Sequence, residues 1–82
     1  MKSQQIHHID VARFPISLGQ FLKLAGAADS GAAAKELLGQ GKVLVNGMVT
    51  RERGKKLQAG DTVTAGEVFR LRAQDGEPSQ TP

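Results

Sequence analysis

The chain has no cysteine, tryptophan or tyrosine, and only 3 phenylalanines among 82 residues. Without cysteine there is no disulfide framework, no thiolate nucleophile and no cysteine-ligated zinc, so stability must come from an apolar core, and the chain suits a reducing cytoplasm. With 39% hydrophobic residues it can fill one core and not two, which leaves a single small domain with little room for a large active-site cleft. No stretch approaches the roughly 18 to 20 consecutive apolar residues of a membrane span, and Met1 to Gln5 lead into His7, His8 and Asp10 rather than an apolar signal segment. A soluble, unprocessed, cytoplasmic protein without a membrane partner is therefore expected.

What is present is ordered along the chain. Residues 1–10 read as an N-terminal extension, 11–72 as the folding unit, and 73–82, where Asp75, Gly76, Glu77, Pro78 and Pro82 leave almost nothing to bury, as a disordered tail. No internal repeat is visible. Leu18, Phe21, Leu22 and Ala25 fall at i, i+3, i+4 and i+7, one face of a helix that Ser17 can cap and Gly26 can end. A second helix is predicted from the Asp29-Ser30-Gly31 cluster through Leu38, with Ala34, Leu37 and Leu38 as its buried stripe and Gly39 and Gly41 closing it. In these registers Lys23 and Lys35 face solvent.

The period then changes. Val43 to Thr50 is β-branched and apolar on both sides of Asn46-Gly47, a pair that tolerates the two positive φ angles of a type I′ turn, so Val45 should face Met48 and Leu44 should face Val49. Leu57, a turn at Gly60-Asp61, and strands at Thr62 to Thr64 and Val68 to Arg72 follow, the last with Phe69 and Leu71 on one face and Arg70 and Arg72 on the other. A further strand is expected at Ile9 to Phe14. Two short helices packed on a small, mostly antiparallel sheet make an α+β domain.

The net charge of +3 has a location: Arg51, Arg53, Lys55 and Lys56 with Glu52 carry it within six residues. Such a run neutralises phosphates and releases counterions, and Gly54 allows close approach of the backbone to a strand. The bland alternative is a solvated loop that keeps a small protein soluble. Its place between two ordered segments, with Lys23, Lys35 and Lys42 able to extend it, favours a binding face. All 3 phenylalanines occupy expected core positions, which disfavours base stacking along a single strand and favours folded RNA recognised by shape, phosphates and 2′-hydroxyls.

Other chemistry is weakly supported. Asn46-Gly47 and Gly60-Asp61 are explained by turn formation. His7 and His8 are adjacent, so they point to different faces rather than chelating a metal together. Ser17 and Ser30 precede helices without a neighbouring base, so both read as caps rather than nucleophiles. No catalytic, metal or cofactor site is expected.

Three separated segments, Ser17-Leu18-Gly19-Gln20-Phe21-Leu22-Lys23, Ser30-Gly31 with Ala34-Lys35 and Leu38, and Gly41-Lys42-Val43-Leu44-Val45-Asn46-Gly47, resemble the S4-type RNA-binding domain. The continuation Arg51 to Leu57 and Gly60 to Val63 is similar to its small stand-alone bacterial members, and the resemblance spans about residues 11 to 72. It implies the two-helix, small-sheet S4-like fold, the alpha-L motif, and binding of structured RNA of the ribosomal or transfer RNA class, including ribosome-associated RNA. Carried over by position, it implies contacts from Ser17, Lys23, Ser30, Gly31, Lys35 and Lys42. Many members open the first helix with Arg-Leu-Asp and carry Ser-Arg at the second; here Ser17-Leu18-Gly19 and Ser30-Gly31 stand there, so two cationic contacts are missing. Arg51, Arg53, Lys55 and Lys56 are expected to supply charge instead.

Larger relatives append this domain to pseudouridine synthases, tyrosyl-tRNA synthetases or methyltransferases; neither flank here is long enough for such a unit, so no enzymatic activity of its own is expected, and the small size favours a monomer. Two other functions compete. A protein adaptor could use the same cations on an acidic partner. A ubiquitin-like sulfur carrier shares the Val45-Asn46-Gly47 and Gly60-Asp61 turns, but needs a C-terminal Gly-Gly where this chain has Gln80-Thr81-Pro82.

Overall fold

Ser17 and Ser30 start the two helices through their hydroxyls. The computed structural model describes residues 5–74, in the order β1 (Ile6–Val11), β2 (Ile16–Ser17), α1 (Leu18–Leu24), α2 (Gly31–Gly39), β3 (Leu44–Val45), β4 (Met48–Val49), β5 (Lys56–Leu57), β6 (Thr62–Ala65) and β7 (Glu67–Ala73). Ser17 Oγ accepts the Gln20 backbone N–H at 3.3 Å while Gln20 Oε1 accepts the Ser17 N–H at 3.4 Å, a reciprocal capping box. Ser30 Oγ accepts the Ala33 N–H at 3.0 Å. Each cap stabilises its helix by about 1 kcal/mol. Gly26 at φ 80° and Gly41 at φ 72° turn the chain away beyond the helix ends.

The strands form a five-stranded sheet in the order β1-β7-β6-β3-β4 and a two-stranded ribbon of β2 with β5. Pairing is antiparallel except between β1 and β7, which run parallel. Val45 pairs with Met48 and Leu44 with Val49 around Asn46 at φ 52° and Gly47 at φ 84°, the register the Asn-Gly turn dictates. Phe69 and Leu71 are buried on one face of β7 and Arg70 and Arg72 are exposed on the other.

Both helices cover that inner face. Leu18, Phe21 and Leu22 of α1 are fully buried, Ala34 and Leu38 of α2 nearly so, and they share one core with Val43, Val45, Leu57, Val63, Phe69 and Leu71. Phe21 meets Phe69 edge-on, with centroids 6.2 Å apart and planes at 78°, a geometry that adds about 0.5–1.5 kcal/mol beyond burial. No polar or charged side chain is buried among the described residues, so the core holds α1 to the sheet by apolar packing alone.

The N-terminal strand differs from the sequence expectation. It occupies Ile6–Val11 rather than Ile9 to Phe14, because the ladder with β7, from Ile6 opposite Val68 to Val11 opposite Ala73, ends where β7 ends. Residues 12–15 bend away, and Pro15 has no N–H to donate to a ladder. The strand therefore starts within the segment read as an extension, and Ala73, read as tail, closes β7. Residues 75–82 of the expected tail lie outside the described residues. The ribbon between β2 and β5, which pairs Ile16 with Leu57 and Ser17 with Lys56, had no counterpart in the sequence expectation.

Candidate nucleic-acid interface

Four cations of the run Arg51–Lys56 are exposed, yet the segment that carries them is fixed by its own backbone. The Leu18 N–H donates to the Lys55 carbonyl at 2.8 Å and the Gly19 N–H to the Arg53 carbonyl at 3.0 Å. These two donors and the Gln20 N–H held by Ser17 are among the four that an α-helix leaves unpartnered at its start. The loop thus caps α1 and leaves its side chains outside. At its C-terminal end Leu57 is fully buried, and at its N-terminal end the Thr50 N–H donates to the Val43 carbonyl at 2.9 Å.

The side chains leave this pinned backbone toward two grooves. One, of about 540 Å³, is bounded by Ser17 and Lys23 from α1 and its cap, Gly31 of α2, and Arg53, Gly54 and Lys56 of the loop. The second, of about 440 Å³, lies between Arg51, Glu52 and Lys55 and the hairpin residues Met48, Val49 and Thr50. The loop is the wall common to both. Met48 is 70% and Val49 54% exposed, so the second groove is amphipathic, whereas the first is lined by small, polar and cationic groups.

Two glycines seat the two arginines. The Cγ of Arg53 lies 2.6 Å from the point a Cβ on Gly19 would occupy, and Nη2 of Arg51 lies 2.7 Å from the corresponding point on Gly41. A side chain on Gly19 would collide with the stem of Arg53, and one on Gly41 would displace the guanidinium of Arg51. Arg51 thereby lies at the end of α2, whose last turn holds no basic residue, where a cation interacts favourably with the helix dipole.

Ion pairing leaves these cations unneutralised. Among the described residues, the ion pairs are His7 Nε2 to Glu67 Oε1 at 3.2 Å and Arg72 Nε to Asp10 Oδ1 at 2.7 Å, both on the β1–β7 ladder. None involves the loop, Lys23, Lys35 or Lys42. His7 stands opposite Phe69 and His8 opposite Arg70 in the register, on opposite faces of β1.

Of the residues singled out in the sequence, Ser17, Lys23, Gly31, Arg53 and Lys56 line the first groove and Arg51 and Lys55 the second. Lys35 and Lys42 are exposed but line neither, and the Ser30 hydroxyl is engaged in capping α2. Gly19 and Gln20, which the sequence reading did not single out, also line the first groove. A glycine inside an amphipathic helical pattern is the signal that could have marked Gly19, since it costs helix stability and is retained where a neighbour approaches closely.

The family model described as "S4 domain" matches residues 9–70. The chain belongs to the S4 domain family. Over 48 residues it is 52% identical to the probable ribosome maturation protein RlbA of Bacillus subtilis (strain 168), a match covering 58% of this chain and 68% of that protein. In the groove beside α1 the stem of Arg53, reaching over Gly19, brings from the loop a cation that the helix opening Ser17-Leu18-Gly19 does not contain.

Proposed function

We propose that this S4 domain protein binds structured RNA of the ribosomal or transfer RNA class, in association with the ribosome, through the face formed by α1, α2 and the loop Arg51–Lys56. The observation that carries this is the pinned basic loop: its backbone is consumed in capping α1, while Arg51, Arg53, Lys55 and Lys56 project into open grooves without an ion-pair partner among the described residues. Cations fixed in advance bind phosphate with little further loss of side-chain freedom. Family membership supports the reading, as does the likeness to a protein described as taking part in ribosome maturation.

The proposed contacts are Lys23, Arg53 and Lys56 in the first groove and Arg51 and Lys55 in the second, with Ser17, Ser30 and Gly31 at the helix starts and Lys35 and Lys42 flanking them. We assign the protein no reaction of its own and place it in the cytoplasm as a monomer. Among the described residues no helix is long and apolar enough to cross a membrane.

Crosslinking in cells followed by sequencing of bound RNA tests the proposal, with the Arg53→Glu, Lys55→Glu double variant as control. Recovery of one structured RNA, lost in the variant, supports it. Weak, indiscriminate recovery that the variant leaves unchanged overturns it and favours an acidic protein partner for the same cations.

A further inference from the structure

The loop Arg51–Lys56 does more than add charge to one face, because its side chains divide. Arg53 and Lys56 line the groove bounded by the two helices, whereas Arg51 and Lys55, with Glu52 between them, line the groove bounded by the hairpin, and the Arg51 guanidinium reaches from there to Gly41. For Arg53 the division is imposed by packing, since its Cγ is laid against Gly19 near the start of α1, whereas Arg51 touches Gly41 beyond the end of α2 only through its terminal Nη2, so the two arginines stand at separate places. At the crest between them, the side of Gly54 where a Cβ would stand has nothing within 4 Å.

We propose that this loop is a ridge between two phosphate tracks, so that the ligand is a two-stranded RNA element, one backbone lying in each groove. This deepens the RNA-binding reading and rests on it. A single strand can fill one groove and gain only half of the cations. Two strands facing each other across a groove of a duplex, or at a junction, engage both pairs at once. The wide, shallow minor groove of A-form RNA admits such a ridge and presents 2′-hydroxyls to its bare crest, whereas the deep, narrow major groove does not. The grooves differ in kind. The helix-side groove offers cations, the Ser17 hydroxyl region and small residues, a track for sugar and phosphate. The hairpin-side groove adds exposed Met48 and Val49, apolar surface suited to the face of a ribose or of an unpaired base at the edge of the duplex.

The experiment compares an RNA duplex, a three-way RNA junction and their separated strands by anisotropy titration across salt concentrations, with hydroxyl-radical footprinting of the bound forms. The proteins are the full chain, the Arg53→Glu, Lys56→Glu variant and the Arg51→Glu, Lys55→Glu variant, each checked for native circular dichroism and melting. The ridge predicts at least tenfold preference for a two-stranded probe over its strands and protection of backbone on both strands. Each variant should lower the salt slope by about 2, and each should abolish protection on a different strand. Equal affinity for duplex and single strands, or loss of the same protected segment in both variants, overturns the ridge while leaving RNA binding intact. Absence of binding to every probe at low salt overturns the RNA reading and the ridge with it.

Discussion

Arg53 lies across Gly19 so closely that its Cγ is 2.6 Å from where a β-carbon would stand, while its own carbonyl accepts the Gly19 N–H at 3.0 Å. One glycine therefore sets both the backbone docking of the loop and the direction of its central arginine. The hydrogen bond does not need a glycine, whereas the side-chain path does.

Gly19→Ala should accordingly keep the fold and lose part of the binding. The added methyl drives the Arg53 stem aside, and the cost of that shift offsets the part of the roughly 1 kcal/mol helix preference of alanine over glycine that applies in a first turn, so the melting temperature should stay near that of the unmodified chain or fall slightly. RNA affinity should fall to that of Arg53→Ala, with the salt slope reduced by about 1. The double variant should bind no more weakly than either single one, because both remove the same contact. An additive double variant would show that Gly19 acts on something other than Arg53.

About three to five phosphate contacts give a log–log slope of affinity on salt of order −2 to −5. Reversing Arg53 and Lys55 to Glu should flatten that slope and weaken binding without unfolding the protein, since both side chains are exposed and in no ion pair among the described residues. Titrations at several potassium chloride concentrations measure it. A slope near zero for the unmodified chain would be incompatible with phosphate recognition.

The hairpin turn is tied to the start of β6 by Asn46, whose Oδ1 accepts the Thr62 N–H at 3.0 Å and whose Nδ2 donates to Oδ1 of the preceding Asp61 at 3.3 Å. Asn46→Gly keeps the left-handed φ and deletes both bonds, at a cost of about 1–2 kcal/mol. Asn46→Ala should cost more, since alanine is strained at φ 52°. Urea unfolding should show a lowered midpoint with an unchanged slope in both.

Leu57→Ala should lose about 2–5 kcal/mol, a large share of the about 5–15 kcal/mol that holds a domain of this kind together. Leu57 is fully buried and directly follows Lys56, so the melting temperature should fall markedly and RNA binding should be lost at the temperature where the variant unfolds. This contrasts with Gly19→Ala, where binding falls in a folded protein.

Asp10→Asn should change stability by no more than about 1 kcal/mol, because the pair with Arg72 has both side chains about half exposed. Chemical denaturation measures the difference.

The parts legible in the sequence are those whose causes are local. Ser17 and Ser30 cap the helices that follow them, and Asn46-Gly47 sets its own register within four residues. The parallel pairing of β1 with β7 was not legible, since Asp10 and Arg72 stand 62 positions apart and neither strand names its partner by pattern. The ribbon of Ile16–Ser17 with Lys56–Leu57 is too short to leave a period. For the candidate site, the cations were legible as composition, and seven of the ten residues singled out line one or other groove. Their division between two grooves was not, because it depends on main-chain carbonyls of Arg53 and Lys55, which carry no sequence signature, and on which glycine each arginine rests against. Gly31 illustrates a different limit: nothing lies within 4 Å of its missing Cβ, so packing within the chain does not explain why a glycine stands there.

The parallel ladder between the first and last strands has a mechanical consequence. Because β1 and β7 run in the same direction from Ile6 opposite Val68 to Val11 opposite Ala73, a pull applied to Ile6 and Ala73 is directed along the ladder and opposed at its two ends. Its hydrogen bonds are then loaded together in shear rather than opened one at a time as in a hairpin pulled from its ends. The domain is thus clamped along the axis joining the two ends of its described chain, while the loop Arg51–Lys56, anchored to α1 through its backbone, lies off the direct path of that force.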